Sequence, residues 1–204
     1  MFSLCINMYF STIICDDTLY QQARWFFLQQ WRSDLLYREP SSLIWAYMIT
    51  QQMFKLWKTW FSFIEWVFSY EELYFSTAHS WDLLMMIIDT KKVAVDVEYI
   101  LPRDESLLQN VHVPESSFSP RENFYLQRCS KECLTKFLSL NSGEMQEMTI
   151  SSFIWNQHFS INERKFEYLS TINYKWREYP VHINIDNWKI LAILQEDNNS
   201  NTVY

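Results

Sequence analysis

One glycine, Gly143, serves a chain of 204 residues, where average usage near 7% would supply about fourteen. Glycine is the default wherever the backbone needs positive φ, because it has no Cβ to clash with neighbouring carbonyl oxygens. Tight turns in this chain are therefore expected to fall to Asn, Asp and Ser, whose short side chains bond to their own backbone and tolerate the left-handed region. Apolar residues at 49% against charged residues at 20% place the chain among globular proteins and away from disorder. Its length suits one large domain or two small halves packed together. Rings are unusually common at 18%, so Trp25, Trp31, Trp57, Trp60 and Trp66 are expected to dominate packing in the first half.

Charge and cysteine usage narrow the function classes. A formal net charge of −7, with no Lys/Arg run forming a basic stripe, argues against bulk binding of DNA or RNA. Cys5, Cys15, Cys129 and Cys133 form no CxxC pair and no Cys/His spacing suited to zinc, and they read as reduced, partly buried thiols. Met1 to Cys15 is apolar but lacks a basic flank and a small-residue cleavage site, so it reads as a buried strand rather than a signal peptide. Met53 to Tyr70 carries Lys55, Lys58 and Glu65, which are costly in a bilayer, so no membrane partner and a cytoplasmic location are expected.

Along the chain, Asp16 or Asp17 can cap a helix over Leu19 to Leu36, ending near Glu39-Pro40. Ser41 or Ser42 can cap a second from Leu43 to about Trp66, on which Lys55 and Lys58 are neighbours. Tyr74 to Ser76 reads as a short strand and Ser80 to Ile88 as a helix starting just after His79. In Val93-Ala94-Val95-Asp96-Val97-Glu98-Tyr99 the side chains alternate, with Ala94, Asp96 and Glu98 on one face and the valines and Tyr99 on the other. Residues 101–120 read as a connecting segment between an N-terminal part, 1–100, and a C-terminal part, 121–195. A helix over Arg121 to Leu140 stops at Asn141-Ser142-Gly143, residues 148–192 are mainly strands with a hairpin at Asn187, and 196–204 is a polar, frayed tail.

Three local patterns carry chemistry, and each has an ordinary structural counterpart. Asp96-x-Glu98 lies on an otherwise apolar strand, so the paired carboxylates need a cation or donors to offset their repulsion; a solvated strand edge shows the same letters. Glu132 and Lys136 are one helical turn apart and equally describe a surface ion pair. His79 is a lone histidine at an element boundary, a position more often structural than functional.

In this order the three blocks resemble the 4'-phosphopantetheinyl transferase superfamily, in its larger, two-half type. Phe75-Ser76-Thr77-Ala78-His79-Ser80 looks like the family's Ser-x-Ser-His-Ser block. Ala94-Val95-Asp96-Val97-Glu98 is similar to Gly-[Ile/Val]-Asp-[Ile/Val]-Glu, and Arg128 to Lys136 resembles Trp-[Ser/Thr]-x-Lys-Glu-[Ala/Ser]-x-x-Lys. The resemblance covers about residues 75–143. Ala94 replaces the family's glycine, Arg128 its tryptophan, Tyr70-Glu71-Glu72-Leu73 the usual Gly-Lys-Pro and Ser139 a later glycine. Phe118-Ser119-Pro120-Arg121-Glu122 matches a Phe-Ser-x-x-Glu element in letters, while Glu122 also suits the first turn of the next helix.

The resemblance implies an α+β fold in a pseudo-two-fold arrangement of two similar halves, each a small antiparallel sheet packed with helices. It also implies a magnesium-dependent enzyme, a holo-carrier-protein synthase, moving phosphopantetheine from coenzyme A to a serine of an acyl or peptidyl carrier protein. Asp96, Glu98 and Glu132 would hold the metal. Glu132, Lys136 and Glu98 would be catalytic, Glu132 as first choice of base and Lys136 beside the pyrophosphate with little cost to folding on its removal. His79, Ser80, Lys131 and Lys136 would bind coenzyme A, and Lys55 and Lys58 either reach the same nucleotide or form a solvated face. Two other readings are a degenerate relative acting as a non-catalytic binding protein and an unrelated aromatic-rich α+β interaction module.

Overall fold

The computed structural model describes residues 9–14, 16–29, 36, 40–55, 67–70, 73–108, 117–161, 164–186 and 188–196. They form an α+β structure with two antiparallel sheets and flanking helices. The elements are β1 (Tyr9–Ile14), α1 (Asp17–Gln29), α2 (Pro40–Lys55), β2 (Val67–Tyr70), β3 (Leu73–Ser80), β4 (Leu83–Asp89), β5 (Val93–Tyr99), α3 (Pro120–Leu138), β6 (Thr149–Ile161), β7 (Arg164–Tyr174), β8 (Arg177–Asp186) and β9 (Lys189–Gln195). The first sheet has the order β1-β4-β3-β2 and the second β5-β9-β8-β7-β6.

Four layers result, each explained by where apolar side chains alternate. Leu84 meets Ala23, Phe27, Leu43, Ile44 and Ala46 of the two N-terminal helices. Leu83, Met85 and Ile87 point the other way, onto Val93, Val95, Val97, Leu191 and Ile193 of the second sheet. On that sheet's far face, Ala94, Ile190, Ala192 and Leu194 pack against Tyr125, Leu126, Cys129, Cys133 and Leu134 of α3. Each fully buried aliphatic side chain contributes about 1.5–3 kcal/mol of transfer free energy, so these layers, not local propensity, hold the sheets together.

The run Ser80 to Ile88 is corrected from helix to a turn and strand. All seven residues of β4 are buried, because the strand sits between helices on one side and a second sheet on the other. Both faces are then apolar, and the two-residue alternation that marks a half-exposed strand disappears. β3 correspondingly runs through His79 to Ser80, which pairs with Leu83 across the turn Trp81-Asp82. The first helix is described over Asp17–Gln29, with Asp16 Oδ1 accepting from the Leu19 amide at 2.8 Å, and Leu36, its expected end, lies in a turn. The second begins at Pro40, so Ser41 and Ser42 lie inside it; its expected continuation to Trp66, including Lys58, lies outside the described residues, as do Cys5, Cys15, Trp31 and the tail beyond Glu196.

β5 forms as expected and pairs with β9, Asp96 opposite Ala192 and Glu98 opposite Ile190. α3 starts with a reciprocal cap: Ser119 Oγ accepts from the Glu122 amide and Glu122 Oε2 from the Ser119 amide, at 3.3 and 2.8 Å. Glu122 is therefore a capping residue. The β8–β9 hairpin is present, with Asp186 opposite Lys189 around position 187.

The turns depart from expectation. Among the described residues positive φ falls on Trp81 (55°), Ser139 (57°), Lys175 (45°) and Trp176 (66°), while Gly143 is not in that region. Only Ser139, the left-handed C-cap of α3, is of the expected type, and it ends the helix before Asn141-Ser142-Gly143, which enter a 3-10 turn. Lys175-Trp176 closes the β7–β8 hairpin between Tyr174 and Arg177, and the twist of a two-residue hairpin demands positive φ at both positions whatever the side chains. Trp176 is fully exposed, so its ring adds no burial to offset the strain. Trp176→Gly is expected to stabilise the fold by about 0.5–1 kcal/mol, the left-handed penalty less the added freedom of the unfolded chain. A chemical-denaturation midpoint that falls or stays unchanged would refute it.

Candidate metal centre

β5 and α3 run past each other so that their repeats match. Two residues of strand advance about 6.6 Å and four residues of helix about 6 Å. Asp96 and Glu98 on β5 thus meet Lys136, Glu132 and Arg128, spaced four apart on α3. Both acids share the strand face of Ala94, which packs on α3. One ligand atom from each of Asp96, Glu98 and Glu132 lies within 4.8 Å of the others. The three residues expected to converge are brought together.

Cations of the chain itself already meet this acidic group. Lys136 Nζ lies 2.6 Å from Asp96 Oδ1 and donates to the carbonyl oxygens of Thr77 and Val95, both at 3.3 Å. Arg128 Nε lies 2.8 Å from Oε1 of both Glu98 and Glu132. Ser80 Oγ donates to Glu98 Oε2 and accepts from the Tyr99 amide, each at 3.2 Å, and Ser76 Oγ accepts from the Val95 amide at 3.0 Å. These serines dock β3 on β5. Asp96 Oδ2 is enclosed and accepts no hydrogen bond; the neighbouring Cys129 thiol is turned to the Ile190 carbonyl oxygen at 3.6 Å. An orphaned buried carboxylate oxygen beside two other carboxylates is the donor chemistry of a hard divalent cation.

Electrostatics follow burial. Burial pushes the Asp96 carboxyl up, Lys136 pulls it down and Glu132 pushes it up again, with a net rise. Glu98 is raised by burial and by Asp96, against the pull of Arg128. Burial opposes the Lys136 charge, but Asp96 outweighs it and the ammonium is held protonated above its ordinary range. Burial likewise lowers Arg128 while Glu132 and Glu98 raise it, with a net rise. The Cys129 and Cys133 thiols beneath are pushed up by burial and by Asp96, so they stay protonated, and both are free.

Other expected residues are placed differently. Ser80 is buried against Glu98, while His79 is exposed and leaves β3 on the opposite side. Lys131 is half-buried, and burial pulls its ammonium below the ordinary lysine range. Among the described residues, neither His79 nor Lys131 is hydrogen-bonded or ion-paired to the three carboxylates. Arg128 was legible only in its four-residue spacing to Glu132; its bond to Glu98, 30 positions earlier, has no local signal. No described helix is long and apolar enough to cross a membrane. Compared with known proteins, the chain matches no family model, and no curated protein is significantly similar to it. Function therefore has to be read from the site.

The expectation that Lys136 can be removed without cost to folding is corrected. Its side chain is 22% exposed and that of Asp96 4%, so the pair ties α3 to β3 and β5 from inside. Lys136→Met leaves a buried carboxylate without its cation, at a cost of about 3–5 kcal/mol near neutral pH. With Lys136 gone, the Asp96 pKa, already raised by burial and Glu132, loses its main downward pull and moves further above its unfolded value than in the wild type. The variant's stability is then present at low pH and lost as pH rises through the folded pKa. Urea midpoints of both chains at pH 5 and pH 8 are expected to show the larger loss at pH 8; equal losses would mean that Lys136 does not hold the Asp96 charge.

Proposed function

We propose that this protein is a magnesium-dependent 4'-phosphopantetheinyl transferase acting on an acyl or peptidyl carrier protein, with coenzyme A as co-substrate. The observation that carries the reading is the approach of Asp96, Glu98 and Glu132 to within 4.8 Å of one another, which agrees with what the motif resemblance implies for these positions. In this reading the two sheets belong to pseudo-two-fold halves joined through residues 101–120, with β5 of the N-terminal part built into the second sheet, and the free thiols of Cys129 and Cys133 suit a cytoplasmic protein.

The reaction is attack of a carrier serine hydroxyl on the β-phosphate of coenzyme A, with release of 3',5'-adenosine diphosphate. Magnesium, held by the three carboxylates, would supply neutralisation of charge on the pyrophosphate oxygens. Glu132, the half-buried acid at the outer side of Asp96, is the first choice to take the serine proton, and Glu98 the second. Lys136 acts through Asp96, holding its carboxylate in place; contact with the pyrophosphate would require leaving that partner. Half-buried Lys131 would be the nearer group for a coenzyme A phosphate, and exposed His79, on the side of β3 away from Glu98, would meet only a phosphate remote from the trio. A competing reading, favoured by the ion pairs of Lys136 and Arg128, is that the carboxylates form only a structural charge network in a binding protein.

The two readings separate in one assay. An apo carrier protein incubated with the chain, magnesium and coenzyme A is expected to gain the mass of one phosphopantetheine. Glu132→Gln should slow that gain by about a hundred- to ten-thousandfold, with little change in thermal midpoint. No mass gain, together with no effect of magnesium on the wild-type midpoint, would leave the structural reading.

A further inference from the structure

Arg128 occupies an unusual place in the acidic group. Its Nε is shared by Oε1 of Glu98 and Oε1 of Glu132, 2.8 Å from each, so one cation bridges a strand and a helix. Its side chain is 42% exposed, against 15% for Glu98 and 28% for Glu132, so it covers the two carboxylates from the solvent side. Lys136 lies on the inner side, at 22% exposure and with three oxygen acceptors. The outer cation borders water, whereas the inner one is tied to three oxygen acceptors.

Oxygen use around the trio makes that difference matter. Glu98 has Oε1 on Arg128 and Oε2 on Ser80. Asp96 gives Oδ1 to Lys136, while its enclosed Oδ2 has only the weak-donor Cys129 thiol nearby. A divalent ion shared by the three acids, with ligands at about 2.0–2.6 Å, would draw on Oε1 of Glu98 and of Glu132, the two oxygens that face Arg128 Nε. Charge leads to the same point. Three carboxylates facing Lys136 and a divalent ion are neutral, whereas with Arg128 retained the group carries a surplus positive charge.

We propose that Arg128 is a built-in counter-cation that closes the Glu98–Glu132 side of the site and is displaced when a divalent ion enters. This rests on the reading of the trio as a metal site. Metal binding thus competes with an internal ion pair, and the measured affinity is lower than the three carboxylates alone would give.

The test titrates MnCl2 or MgCl2 alone, by calorimetry and thermal shift, into wild type, Arg128→Gln and Arg121→Gln. Arg121→Gln makes the same change in net charge at an exposed position of the same helix, seven residues before Arg128. Arg128→Gln is expected to bind the ion about ten- to a hundredfold more tightly, the scale on which one neighbouring charge moves an ionic equilibrium. It should also melt lower without metal, and Arg121→Gln should stay within about twofold of wild type. Equal or weaker binding by Arg128→Gln, with wild type still binding, overturns the counter-cation and leaves the metal site standing. Absence of binding by all three folded chains overturns both. Should Arg128→Gln fail to fold, the wild-type Arg128 Nε–H resonance decides. It is expected to move to a solvent-exchanging position on addition of magnesium, and an unchanged resonance at metal saturation would refute displacement.

Discussion

The buried pair of Lys136 and Asp96 is the interaction on which the arrangement of this site depends. A carboxylate enclosed between a helix and a sheet is tolerated only with a cation and donors in reach. Lys136 supplies the cation and in the same act bonds carbonyl oxygens of β3 and β5. That contact sets the rotation of α3 about its own axis. Once Lys136 faces Asp96, Glu132 and Arg128, one and two turns back, must pass over Glu98. The same contact makes Lys136 a structural residue before it is anything else.

Around this pair the charges are graded by depth. The inner cation is enclosed and bonded three times, whereas the outer one is held by two carboxylates at the edge of solvent. Desolvation is what distinguishes them, since an exposed ion pair is individually weak and exchangeable while a buried one is costly to break. One helix can therefore carry a fixed cation and a replaceable one, eight residues apart on the same face.

Shortage of glycine has a visible consequence in the backbone. Hairpins between adjacent antiparallel strands impose their own turn geometry through strand twist. The four described positive-φ positions are filled by Trp81, Ser139, Lys175 and Trp176. Composition argued for Asn, Asp and Ser there, but the residues that occupy a hairpin tip are set by strand register, and the exposed Trp81 and Trp176 hold positive φ without burial to offset it. The misreading of Ser80 to Ile88 has a related cause. A strand covered on both faces carries no alternation to read, and its apolar run is as consistent with a buried helix as with β4.

The sequence by itself determined what depends on neighbours along the chain. The alternation in Val93 to Tyr99 put Asp96 and Glu98 on one face, the four-residue step put Glu132 beside Lys136, and Glu122 suited the first turn of α3. These follow from strand and helix periods and from cap chemistry, all of them local. Tertiary structure alone decided that the strand face and the helix face meet, that Lys136 points inward to Asp96 rather than outward, and that Arg128 reaches Glu98 across 30 positions. It also decided that Leu83 to Asp89 is a strand, because that outcome rests on a second sheet and two helices covering it. The reason is the same in each case: desolvation depends on what closes over a group, and residues distant in the chain do the closing.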